Sequence, residues 1–260
     1  MRRLFLSTVT VIATACGSSG HPSSIDGHEF DRFPPVGPPA KAQLPAPPRT
    51  LQVERRYLVA LFGDAQDVWQ QEFRSARLRY DPAHVVVFAG VIKSRCGEHE
   101  EGAGPFYCPG DETVYLDTDF FIRFIHGSEL DAAAQAYIVG HEVAHHVQRM
   151  AGIADRVGAA ADAHPDEKNK LTTNTELQAD CLAGVWARSA YPRSALTPTD
   201  LVKALEAADA IGDDFDARRR GEYFLDTSAW THGSSRQRQL WLRTGFNSGR
   251  PTACNPFGYG

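Results

Sequence analysis

The chain has 260 residues, a formal net charge of −5 and 42 % hydrophobic residues, enough for one well-buried core with a small appendage. The mild acidity and the lack of any basic stripe exclude a nucleic-acid partner and an anionic membrane surface, both of which need concentrated Lys and Arg. The elements predicted from the sequence follow in chain order.

Residues 1–15 have the proportions of a signal peptide: Met1-Arg2-Arg3, then the apolar run "LFLSTVTVIATA", too short to span a bilayer. The small residues before Cys16 and the "GSSG" that follows it resemble the lipobox of bacterial lipoproteins, which makes Cys16 the expected lipidation site. The protein is therefore expected to be exported to the cell envelope, touching a membrane only through that anchor. Residues 16–50 carry eight of the sixteen prolines, and "PPVGPPAKAQLPAPP" excludes a helix or an inner strand, so this stretch reads as an extended tether.

Residues 51–260 read as the folded domain. "LVALFGDAQDVWQQEFRSA" places Leu61, Phe62, Ala65, Val68, Trp69 and Phe73 at helical spacing, with Gly63 as a break between two helices. "HVVVFAGVI" predicts an inner strand and "ETVYLDTDFF" opens with an alternating one. A helix then runs to Met150, with Gly152 beyond its end. The polar residues 154–173 predict a surface excursion. Further helices are expected from about Asn174 to before Pro192, over "LTPTDLVKALEAADAIGDD", and from Ser234, where Gln237 completes a capping box. Setting Cys16 aside, four cysteines remain in an oxidising compartment: Cys96, Cys108, Cys181 and Cys254. They allow three pairings, of which Cys96–Cys108 with Cys181–Cys254 is favoured; a rival is zinc held by Cys96, His99 and Cys108.

The chemistry centres on "GHEVAHH". Positions i and i+4 of a helix lie nearly above one another, so His141 and His145 can share one metal ion, while Glu142 sits beside the metal, placed to take a proton from the attacking water. His146 is turned about 100° from His145 and cannot join them. A catalytic zinc takes three protein ligands and keeps one position open. Gln148 and Ala151 stand where a metzincin would carry Gly and His. In "ELQAD", Glu176 and Asp180 share a helix face, so Glu176 can be the third ligand and Asp180 can accept the second ring N–H of a ligating His. His232, in a Gly/Ser-rich turn before a helix, is a candidate oxyanion donor, with a structural histidine as the alternative. "GDD" at 212–214 reads as a solvated cap in preference to a calcium site.

Together, "CGEHEEGAGPFYCPGDETVYLD", "AYIVGHEVAHHVQ", "ELQADCLAGVWA", "AADAIGDD" and "THGSSRQRQLW" resemble the neutral zinc metallopeptidases of bacteria over most of residues 55–257. The resemblance implies an α+β, zincin-like domain, mostly helical with a small sheet beside the active-site helix. It also implies a Zn2+ site of His141, His145 and Glu176 with Glu142 catalytic, acting on a peptide or protein substrate. The family often has Gly where this chain has Ala144, a small-for-small exchange. A peptide substrate is expected to add to a sheet edge, for which the strand around Thr113–Asp117 is the candidate. Two other functions fit the same residues: a non-catalytic scaffold stapled by zinc, and a zinc amidase acting on cell-wall peptides.

Overall fold

The computed structural model describes residues 28–36, 51–125, 131–193, 198–210, 212–221 and 227–258. The predicted signal peptide, Cys16 and most of the tether lie outside these residues. The chain folds as a mostly helical α+β domain with a small sheet.

Helix α1 (Leu51–Ser75) buries Leu58, Leu61, Phe62, Ala65, Val68, Trp69 and Phe73 along one side, as their spacing requires. The expected break at Gly63 does not occur. A glycine inside a helix costs about 1 kcal/mol, less than the burial of Leu61 and Phe62 just before it and of Val68 and Trp69 after it contributes. The tether expectation also needs correcting within residues 28–36. Phe30 and Phe33 are buried in the main core, Phe33 edge-on to Phe73 at 4.9 Å, and the Val36 N–H donates to the Gly249 carbonyl. Two aromatic side chains in a Pro-rich stretch without a periodic pattern gave no local sign that they belong to the core.

Strands β1 (His84–Phe88), β4 (Phe106–Cys108) and β5 (Thr113–Asp117) form a sheet in the order β1-β5-β4, with β1 parallel and β4 antiparallel to β5. The strand expected to be inner, β1, is an edge with its valines half-buried. The inner strand is β5, buried at all five positions. β2 (Ile92–Ser94) and β3 (Gly97–His99) make a small hairpin tied to β4 by the Cys96–Cys108 disulfide. Both cysteines are thereby consumed, which overturns the rival zinc site; His99 instead stacks on Phe106 at 3.6 Å. β5 runs straight into α2 (Thr118–Ile125), whose first N–H groups, from Asp119 and Phe120, donate to Asp117.

The remaining helices are α3 (Asp131–Met150), α4 (Ile153–Ala163), α5 (Lys168–Ala190), α6 (Pro198–Ala210), α7 (Asp213–Arg219) and α8 (Ser235–Ser248). Residues 154–173 lie at the surface as expected, with Ala160 alone buried among them, but they are mostly helical: α4 buries only Ile153 and Ala160, too few apolar positions to show a period. Among the described residues, no helix is long and apolar enough to cross a membrane.

Glycine notches set how α3, α5 and α8 meet. A Cβ on Gly140 of α3 would lie 2.7 Å from the Trp186 ring of α5. On α8, a Cβ at Gly245 would lie 1.8 Å from the Cys181 carbonyl oxygen, and one at Gly184 of α5 would lie 2.2 Å from that of Leu242. α5 and α8 therefore cross backbone against backbone, and the Cys181–Cys254 disulfide fastens the chain end beside the crossing. That approach delivers the first turn of α8 to the polar face of α5.

Candidate functional site

Helix α3 buries Val139, Val143, Ala144 and Val147 and turns His141, Glu142 and His145 toward α5 and a cleft of about 750 Å³. Across the cleft floor, α5 supplies Glu176. His141 Nε2 lies 3.0 Å from one Glu176 oxygen, His145 Nε2 lies 3.4 Å from the other, and the two ring nitrogens are 3.2 Å apart. Zinc with ordinary bond lengths of about 2.0–2.2 Å needs tetrahedron edges of about 3.3–3.6 Å; these separations come within a few tenths of an ångström of that, and one ligand atom from each residue lies within 4.8 Å of the other two.

The surroundings favour a cation at this point. Burial works against charge on His141, but the hydrogen-bonded carboxylates of Asp180 and Glu176 outweigh it and raise its pKa to about 10. Burial likewise opposes charge on Glu176, yet the His145 and His141 rings hold its carboxyl well below the usual range. The donor set, two imidazoles and one carboxylate, suits zinc.

Asp180 stands where the spacing on α5 placed it: its Oδ1 accepts the His141 Nδ1–H at 2.8 Å, which makes Nε2, facing Glu176, the nitrogen that would bind a metal in place of its proton. Two further residues complete this arrangement and were missed in the sequence. Arg238, from the first turn of α8, donates from Nε to Asp180 Oδ2 at 3.0 Å and from Nη2 to Oδ1 at 2.9 Å. Tyr137, one turn before His141, donates its hydroxyl to Asp180 Oδ1 at 2.6 Å and accepts from Arg238 Nη2 at 3.1 Å. All three side chains are buried. A signal for Arg238 existed: with Ser235, Leu242 and Gly245 it lies on the one face of α8 that is buried.

Glu142 is buried in the floor of the cleft and is not among the three converging ligands. Burial raises its pKa, and the negative Glu176 adds to that, while His141 and His145 oppose it.

His232 lines the same cleft. Its turn is gripped by Asp213, whose Oδ2 accepts the backbone N–H groups of Thr231, His232 and Gly233 at 3.0, 2.7 and 2.8 Å, with Oδ1 3.3 Å from His232 Nδ1. Asp214 accepts from the Ser235 N–H and hydroxyl. Burial pushes its pKa up, but these bonds and Arg218 bring it below the usual value. The "GDD" acids are thus neither a solvated cap nor a cation site; they hold the His232 turn against the start of α8. The capping box of Ser234 and Gln237 forms as expected.

His146 points away, fully buried. Its Nε2–H donates to the Asp81 carbonyl at 2.7 Å, and Nδ1 accepts from the Tyr107 hydroxyl at 3.0 Å. It thereby ties α3 to β4. This bears on the expected docking edge: β5 is paired on both sides and cannot accept another strand. The edge beside α3 is β4, whose Phe106 and Tyr107, with residues 102–105, form one wall of the cleft.

Residues 9–257 match the family described as "Putative neutral zinc metallopeptidase". The chain belongs to this family. Among its relatives it is 39 % identical to YpfJ of Escherichia coli (strain K12) over 207 residues, 78 % of this chain and 71 % of that protein. It is 38 % identical to Rv2575 of Mycobacterium tuberculosis over 191 residues, 68 % of this chain and 63 % of that protein. Both relatives are described as uncharacterized. No solved structure matches the chain.

Proposed function

We propose that this member of the family is an exported zinc metallopeptidase, held at a membrane by a lipid on Cys16. The observation that carries the activity is the convergence of His141, His145 and Glu176 on one point beside a buried carboxylate, Glu142, in the floor of an open cleft. A structural staple has no use for an unliganded acid there.

Zinc at this point would lower the pKa of a water molecule toward neutrality and polarise the scissile carbonyl. His141, His145 and Glu176 would hold it. Glu142 would take the proton from the attacking water and return it to the leaving amine; burial, by raising its pKa, makes it a better base and a usable acid. His232, steadied by Asp213, is the proposed donor to the developing oxyanion. With Nδ1 beside Asp213, Nε2 is the ring nitrogen that would serve the cleft. The Phe106–Tyr107 edge would align the substrate backbone as an added strand.

Released peptide termini provide the test. Incubating candidate envelope proteins or a peptide library with the zinc-loaded protein should yield new termini, lost with a chelator and restored by zinc. His232→Ala should lower kcat by about 10²–10³-fold with little change in KM. An absence of zinc-dependent cleavage would favour the scaffold reading, and cleavage confined to cell-wall peptides the amidase reading.

Export rests on the signal-like leader and on the two disulfides, which belong to an oxidising compartment. Fatty-acid labelling of the full chain in its native host should be lost in Cys16→Ser. Label retained in that variant would remove the anchor from the proposal.

A further inference from the structure

The two imidazole ligands are held from behind in different ways. His141 leans on a carboxylate, Asp180. His145 has no acid behind it: its Nδ1 lies 2.9 Å from Gln148 Oε1, on the next turn of α3. An amide can present either an oxygen or a nitrogen, so Gln148 by itself does not decide which ring nitrogen of His145 carries the proton.

The rest of the chain of amides decides it. Gln148 Nε2 donates to the Thr175 carbonyl at 2.7 Å and to Gln178 Oε1 at 3.0 Å. Gln178 Nε2 donates to the Cys254 carbonyl at 2.8 Å. Backbone carbonyls only accept. Turning either amide over would set oxygen against oxygen at Thr175 or at Cys254, in a place where both glutamines are fully buried and no solvent can compensate. Gln148 Oε1 must therefore face His145, and His145 must present Nδ1–H to it. Nε2 is left with its lone pair toward His141 and Glu176. Gln148 also spans the two helices that carry the ligands, since Thr175 immediately precedes Glu176. The Cys254 end is fastened to α5 by the disulfide to Cys181.

We propose that Gln148 and Gln178 form a directional amide relay, anchored on the Thr175 and Cys254 carbonyls, that fixes the tautomer of His145 and its place relative to Glu176, and so sets the metal affinity of the site. This rests on the metal centre proposed above. Gln148 and Gln178 are positioning residues; neither belongs to the group of side chains that converge on the metal.

Zinc dissociation constants from chelator competition, with folding checked by circular dichroism, test the relay. Gln148→Leu should weaken zinc binding by about 10–100-fold. Gln178→Leu should weaken it less, because Thr175 still orients the Gln148 amide. Gln148→Glu keeps an acceptor toward His145 and should bind zinc more tightly than Gln148→Leu. A role in packing alone predicts the opposite order, since a buried carboxylate facing two carbonyls is the worse fit. In the zinc-loaded wild type, histidine-selective 15N spectra should show a protected Nδ1–H for His145, lost in Gln148→Leu. If the wild type binds no zinc, the metal-centre reading fails and takes the relay with it. If the wild type binds zinc and Gln148→Leu, folded, binds it equally well, the relay alone is overturned.

Discussion

A Glu142→Gln protein should bind zinc as tightly as the wild type and cleave peptides about 10²–10⁴-fold more slowly, the range expected for loss of one general base. The expectation follows from where Glu142 sits. It is beside the three converging ligand atoms and is not one of them, so an amide in its place removes no bond to the metal. The exchange conserves shape in a buried floor position, and it removes the charge that burial disfavours, so folding should be undisturbed. What it removes is the ability to accept a proton. Metal content, thermal unfolding and peptide turnover, measured on the same preparation, separate these effects. Undiminished turnover would show that Glu142 is not the base; turnover absent from the wild type as well would favour a scaffold.

The second large effect is expected at Arg238. Its guanidinium makes a bidentate contact with Asp180 and bonds Tyr137, all inside the protein. Arg238→Met leaves the Asp180 carboxylate buried without its counter-charge. Breaking one side of a buried ion pair costs about 3–5 kcal/mol, which for a domain of this size lowers the melting temperature by on the order of 10 °C. Zinc binding should weaken too, because Asp180 would no longer be held in line with His141 Nδ1. Adding Asp180→Asn to Arg238→Met removes the orphaned charge and should recover much of the stability, but not the full metal affinity. Unfolding in urea with parallel zinc titration checks both. If Arg238→Met were as stable as the wild type, the guanidinium would not be the counter-charge that holds Asp180.

The two residues differ in how they could be found. Glu142 stands next to a candidate metal-binding pair whose spacing is fixed by helix geometry. Arg238 lies in a run rich in Arg and Gln, where a charged residue reads as solvated, and its burial follows only from the close crossing of α5 and α8 at Gly184 and Gly245. The same distinction runs through the fold. The apolar stripe of α1 and the helical span of α3 were legible because each is a periodic property of one segment. The order of the sheet was not: the valines of β1 suit an inner strand or an edge that packs on a helix, and the choice was made by β5 pairing on both sides. Phe30 and Phe33, in a Pro-rich stretch without period, found their place only against Phe73 and its neighbours.

By itself, then, the sequence determined the candidate site's residues: two histidines and an acid on one turn of helix, a glutamate and an aspartate on one face of another, and an even set of cysteines. These are short-range facts, carried by the i, i+4 repeat of a helix. The tertiary structure decided which faces meet. It brought Arg238 under Asp180, turned His146 onto β4, set Gln148 between His145 and the backbone beside Glu176, and made β4 the open edge of the cleft. The physical reason is that periodicity specifies the buried side of each element, whereas the partner for that side depends on volume, on backbone approach at glycine and on buried polar groups finding acceptors, and these are properties of the assembled core.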